Sequence, residues 1–150
     1  MTGYVGKPAL DASKWFPTGD LGFLLEGRLA VVGRRDEVIV VRGNNVLLTE
    51  IESLVSETPG VRQGAVGALG TPDNEFVVYF ESSDPNDDSA LSATQAIRRN
   101  LTYNLGLAPR AITVVGKGTI PRTPSGKLQR TELQRLFFDN SLGGGELSSL

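Results

Sequence analysis

Two apolar runs, VRQGAVGALG and EFVVYFES, separated by TPDN (residues 61–82), constrain the fold most. Pro72, Asp73 and Asn74 are turn formers, so the runs read as two strands joined by a tight connection. Around this pair, strand and helix patterns alternate. GFLLEGRLAVVGR (22–34) is two short apolar runs around Glu26-Gly27, a β-hairpin signal. DEVIVVRG (36–43) is a β-branched run, read as a buried strand stopped by GNN. In TEIESLVSE (49–57), Ile51, Leu54 and Val55 recur at helical spacing. Thr49 is the expected N-cap, with Glu52 completing a capping box, and Pro59-Gly60 ends the helix. SDPNDDS (83–89) reads as an acidic loop and ALSATQAIRRNLTYNLG (90–106) as a helix capped by Gly106. RAITVVG (110–116) reads as a strand, 117–127 as a loop and QRTELQRLFF (129–138) as a closing helix. The first 18 residues read as an extended lead-in, and GGGELSS as a flexible tail. About three helices interrupting a small mixed sheet, preceded by a hairpin, put the chain in the α+β class. Residues 1–34 read as a separate unit, joined to residues 35–150 through Arg34-Arg35-Asp36-Glu37.

Composition narrows the chemistry. The chain has 150 residues, 15 Lys plus Arg and 17 Asp plus Glu, for a net charge of -2. That balance gives no pull toward nucleic acid or an anionic membrane. No apolar run approaches the roughly 20 residues needed to span a bilayer, and no secretory signal follows Met1. A cytoplasmic location is expected. Cys and His are both absent. Ser-His-Asp and Cys-His catalysis and His- or thiolate-bound zinc are therefore excluded within the chain. Chemistry here rests on carboxylates, Lys, Arg and backbone dipoles.

The stretch GKGTIPRTPSGKLQR (116–130) presents one lysine, Lys127, at the end of a Pro/Gly loop. A nucleotide P-loop needs glycine at position 121 and Ser or Thr after the lysine. Pro121 and Leu128 break that pattern twice. A Ser125–Lys127 nucleophilic dyad has no specific signal. A solvated loop ending in a helix cap is the plain reading. PTGDLGF (17–23) adds a carboxylate, Asp20, at a glycine-flanked turn, suited to accept two hydrogen bonds from a vicinal diol; taken alone it is an Asx-turn.

Taken together and in this order, TGDLG, GRRDEVIVVRGNN…TEIE and PRTPSGKLQR resemble the closing part of adenylate-forming ligases. These comprise acyl-CoA synthetases, fatty-acyl-AMP ligases, peptide-synthetase adenylation domains and luciferase-like enzymes. The likeness covers nearly all of residues 16–138. It implies that 1–34 is the end of a large N-terminal domain and 35–150 a small C-terminal domain that turns against it. It implies ATP-dependent activation of a fatty acid as acyl-AMP, with Mg2+ held mainly by the large domain. The acyl group then passes to a thiol, that of phosphopantetheine on an acyl carrier protein or that of CoA. By this likeness Asp20 binds ribose, Arg34 contacts ribose and phosphate, Asp36 is the hinge, Gly43 lines the thiol channel and Lys127 reaches the acid and the α-phosphate. VIVVRGNN and GTIPRTPSGKLQR look closer to the fatty-acyl-AMP ligases, whose acceptor is a carrier protein. Leu48 stands where relatives often have proline. A non-catalytic docking module, with Arg98, Arg99 and Arg110 as a basic face, is the alternative from another class.

Overall fold

A computed structural model describes residue 15 and residues 17–84 and 87–138. Most of the expected lead-in and the whole glycine-rich tail lie outside the described residues. In order, the elements are β1 (Asp20–Leu25), β2 (Arg28–Arg34), a 3-10 turn (Arg35–Glu37), β3 (Val38–Val41), β4 (Asn44–Leu47), α1 (Leu48–Ser56), β5 (Val61–Gly70), β6 (Phe76–Ser82), α2 (Asp87–Leu105), β7 (Ala111–Val115) and α3 (Arg130–Phe138). The chain divides into two compact units between Glu37 and Val38.

The first unit is the β1–β2 hairpin. It turns at Glu26-Gly27, both with positive φ (51° and 76°), as the glycine-containing pair predicts. Its strands are antiparallel, with Leu24 opposite Leu29 and Phe23 opposite Ala30. Both faces carry exposed apolar side chains; Leu24 is 75% and Leu29 69% exposed.

The second unit opens with a hairpin that sequence reading only half anticipates. β3 ends at Val41, and Arg42-Gly43 form the turn with positive φ at both positions (51° and 82°). Asn44 and Asn45, read as a strand stop, instead begin β4 and pair with Val41 and Val40. Of the β-branched run only Val41 is buried; Val40 is exposed. α1 departs from its expected capping too. It starts at Leu48 behind Leu47, which makes no side-chain cap, so Thr49 lies inside the first turn. The capping-box role fails because the Glu52 carboxylate is taken by Arg130 and the Ala68 N–H.

β5, β6 and β7 form a mixed sheet with β6 in the centre, antiparallel to β5 and parallel to β7. Every residue from Phe76 to Glu81 is buried, because both faces of the sheet are covered. Alternate residues serve two cores. Phe76, Val78 and Phe80 join Ile51 and Val55 of α1 and Ile97 and Leu101 of α2. Val77 and Tyr79 join Val115, Ile120 and Leu133, on the side of α3 and the loop before it. α2 begins three residues ahead of the expected start and takes Asp88 into its first turn, where an acidic side chain favours a helix. It ends as expected at Gly106, which has φ +65° and donates its N–H to the Thr102 carbonyl. The observed class is α+β, as the sequence predicts.

Candidate active site

The Lys127 loop grows out of the sheet. At its first end the carboxylate of Glu81, only 3% exposed, accepts hydrogen bonds from the N–H groups of Gly118 (2.9 Å) and Ile120 (3.2 Å). The other oxygen of Glu81 faces Arg62 at 3.3 Å. Ile120 then drops into the second core. Arg122 holds the middle, donating to the Val66 carbonyl (3.0 Å) on β5 and to the Gly126 carbonyl (2.8 Å) inside the loop.

The tip is a closed turn. Thr123 donates its N–H to the Lys127 carbonyl (2.8 Å), and Gly126 donates to the Thr123 carbonyl (2.8 Å). The Lys127 N–H donates to the Thr123 hydroxyl at 3.0 Å. Gly126 has φ +83°, a conformation most side chains resist. These bonds fix the Lys127 backbone, while its side chain stays exposed. Among the described residues its ammonium makes no ion pair. The Ser125 hydroxyl pairs with that of Thr123 (2.9 Å).

The far end is seated on β5. Gln129 donates to the Pro121 carbonyl at 2.9 Å. Arg130 donates to both oxygens of Glu52 (2.6 and 3.2 Å) and to the Ala68 carbonyl (2.6 Å). Leu133 and Leu128 press on Gly67, where an added Cβ would meet Leu133 Cδ2 at 2.5 Å. A side chain at this position would force Leu133 to shift.

In the first unit, Asp20 and Arg34 are direct partners across the β1–β2 register. Directly opposed residues present their side chains to the same face. The Asp20 N–H donates to the Thr18 hydroxyl (3.2 Å), and the Arg35 N–H to the Gly19 carbonyl (2.7 Å), which fixes the strand start. The Arg34 guanidinium also meets Asp36 at 3.3 Å, in an exposed pair worth little stability. The structure thus brings Asp20, Arg34 and Asp36 together in one unit. Gly43 and Lys127 belong to the other. Gly43 sits in the exposed β3–β4 turn, and a Cβ added there meets nothing within 4 Å.

The basic face considered for docking is largely engaged. Arg110 pairs with Asp73 (3.0 Å) and Glu75 (3.5 Å), and Arg98 donates to the Pro109 carbonyl (3.4 Å). Sequence reading missed Glu52, Glu81, Arg122 and Arg130. A charged Glu81 closing an otherwise apolar strand was the one local signal.

No family profile matches the chain. Over 136 residues it is 37% identical to a ligase of Mycobacterium tuberculosis, covering 87% of this chain and 25% of that protein. Over 142 residues it is 38% identical to the 2-succinylbenzoate–CoA ligase of Listeria monocytogenes, covering 88% and 28%. The chain therefore spans only about a quarter of the length of these relatives. Among solved structures, it matches a multidomain keto acid-selecting peptide-synthetase module with adenylation and ketoreductase domains, at TM-score 0.80 and 33% identity, over 87% of this chain and 11% of the module. It also matches a fatty acyl-adenylate ligase from work on the E. coli and L. pneumophila enzymes, at TM-score 0.73 and 28% identity, over 87% of this chain and 23% of that one. The shared region is the C-terminal portion of these larger proteins, and the chain belongs to the adenylate-forming ligases.

Proposed function

We propose that this segment is the C-terminal part of an ATP-dependent fatty acid ligase, with Lys127 as its catalytic residue. The observation that carries the reading is the Lys127 loop itself. It is a closed turn anchored at both ends, and it delivers one ammonium, without an ion-pair partner among the described residues, at an exposed tip. Residues 1–34 are then the end of a large domain and 35–150 a small domain that turns at Asp36.

The chemistry needs little else from this part. A carboxylic acid is ionised at pH 7, so no general base is required. Its oxygen attacks the α-phosphorus of ATP; the bond to the bridging oxygen breaks, and pyrophosphate leaves with the electron pair. Lys127 offsets the charge that gathers on the reacting phosphoryl group. Asp20, facing Arg34 across the hairpin, suits a ribose diol, and Arg34 suits a phosphate. The same reading assigns Mg2+ mainly to the large domain. The acyl carbon is then attacked by a thiol and AMP departs. Gly43, in its open turn, faces that thiol in the second orientation.

The preferred acceptor is the phosphopantetheine thiol of an acyl carrier protein. The similarity to a fatty acyl-adenylate ligase supports it. CoA is the second reading, favoured by the similarity to a CoA ligase. No described helix is long and apolar enough to cross a membrane, and a cytoplasmic location belongs to the same reading.

The test uses the segment joined to its large domain. Lys127→Ala should slow acid-dependent pyrophosphate exchange by about 10²–10³-fold, the scale of one preorganised electrostatic contact. Thioester formation from supplied acyl-adenylate should fall far less. Equal losses in both steps would make Lys127 a structural residue. Comparing carrier protein with CoA in the second step separates the two acceptors. These 150 residues alone should leave exchange at background, since the large domain supplies the acyl pocket.

A further inference from the structure

Given that Lys127 acts in adenylation, something must hold its ammonium at a fixed point. The tip is exposed, so the holding comes from the base of the loop. Arg130 lies three residues beyond Lys127, no more than about 11 Å of chain. Its guanidinium and the Glu52 carboxylate close a ring around one residue of β5. Arg130 donates to both Glu52 oxygens and to the Ala68 carbonyl, and the Ala68 N–H donates back to Glu52 Oε1 at 2.9 Å. Both side chains are 15% exposed. Beside the ring, Gly67 lets Leu128 and Leu133 settle against the strand.

Stability alone does not call for such a ring. A largely buried ion pair can often be replaced by apolar side chains at no net cost. What a bidentate fork adds is direction. It fixes both the spacing and the angle at which residues 128–130 leave β5, and hence where the turn that carries Lys127 begins.

We propose that Glu52 and Arg130 are positioning residues for Lys127, acting through the closed ring on Ala68. The proposal rests on the catalytic reading of Lys127 and extends it to α1, an element distant in sequence. A misplacement of about 1 Å can cost up to roughly 10² in rate, so that is the ceiling expected here.

The experiment uses the segment joined to its large domain, with ATP and fatty acids of graded chain length. Glu52→Gln and Arg130→Lys are made singly and in combination with Lys127→Ala. Three quantities are read: pyrophosphate exchange, thioester formation from supplied acyl-adenylate, and thermal unfolding. Each single variant should lower the kcat of exchange by roughly 10-fold to 10²-fold, with KM for ATP and acid little changed and thioester formation largely kept. In the Lys127→Ala background neither change should cost anything further, because the group it positions is gone. Additive losses, or parallel losses in both steps with a lowered Tm, would overturn the positioning role. If Glu52→Gln does not yield folded protein, Arg130→Lys carries the same comparison, since it keeps the cation and removes the fork. Unimpaired exchange in Lys127→Ala alone would instead overturn the reading of Lys127 beneath this proposal.

Discussion

The β1–β2 hairpin and the β5–β6–β7 sheet are built from the same kind of residue and meet opposite fates. In β6 each side chain from Phe76 to Glu81 is buried, and two cores form on its two faces. In β1 and β2, Leu24, Leu25, Leu29 and Val31 stand exposed. Fully burying one such side chain is worth about 1.5–3 kcal/mol, and an isolated two-stranded hairpin is marginal at best. The second unit therefore has cores of its own, while the first leaves its apolar surface exposed. The candidate site divides along the same line. The loop that carries Lys127 is anchored within its own unit, by Glu81 at Gly118 and Ile120, by Arg122 on Val66, and by Arg130 on Glu52. Asp20 and Arg34 sit on the exposed hairpin.

The sharpest way to break this contrast is to empty the sheet's core. Phe80 has no exposed surface and packs between β6 and the α1–α2 layer. Phe80→Ala should cost about 3–5 kcal/mol, a large fraction of a domain's total stability. Urea unfolding followed by circular dichroism should show a midpoint far below that of the parent, or no folded baseline. A cost under about 1 kcal/mol, the range of surface changes, would mean that the second unit does not rest on this core.

The contrast also explains what was legible in the sequence. Glu26-Gly27 and the TPDN turn announced their strands because turn chemistry is local. Gly106 announced a helix end for the same reason. β4 was hidden because Asn44 and Asn45 look like a stop until Arg42-Gly43 takes both positive φ angles. Lys127, Asp20 and Arg34 could be picked out by the ordered resemblance of their motifs. Glu52, Glu81 and Arg130 could not. Their partners lie 78 residues away for the Glu52–Arg130 pair and 37 for Glu81 with Gly118. Glu52 had a plausible local role, as a capping residue, that a distant cation took from it.

A smaller effect probes the second core, on the loop side of the sheet. Burial pushes the Tyr79 hydroxyl up to about 12, from an ordinary value of 10. Its folded form thus keeps a proton that the unfolded chain gives up first. The resulting stability is fully present below pH 10 and is lost as pH rises toward 12. At about 1.36 kcal/mol per pKa unit, the loss is at most roughly 2–3 kcal/mol. Tyr79→Phe should abolish this part of the alkaline decline. Urea midpoints of parent and variant at pH 9 and pH 11.5 provide the check. An offset of the same size at both pH values would reflect how the hydroxyl packs and not its ionisation.

The smallest expected effect sharpens the comparison most, because it is small only in one setting. Leu24 is 75% exposed and faces Leu29, itself 69% exposed, across the hairpin. Leu24→Ser in this chain removes a side chain that has little burial to lose. Its cost should fall within about 0.5 kcal/mol, the range of ordinary surface substitutions. In the segment joined to its large domain, the same residue belongs to a surface that our reading covers. There the cost should rise toward the 2–5 kcal/mol of a truncated core leucine. Thermal or urea unfolding of the variant in both proteins measures the two numbers side by side. A near-zero cost in both would show that the hairpin's apolar face stays open, and the assignment of residues 1–34 to the large domain would lose its physical basis. A large cost already in the short chain would place the hairpin's apolar side chains in a core of their own and remove the contrast with the sheet.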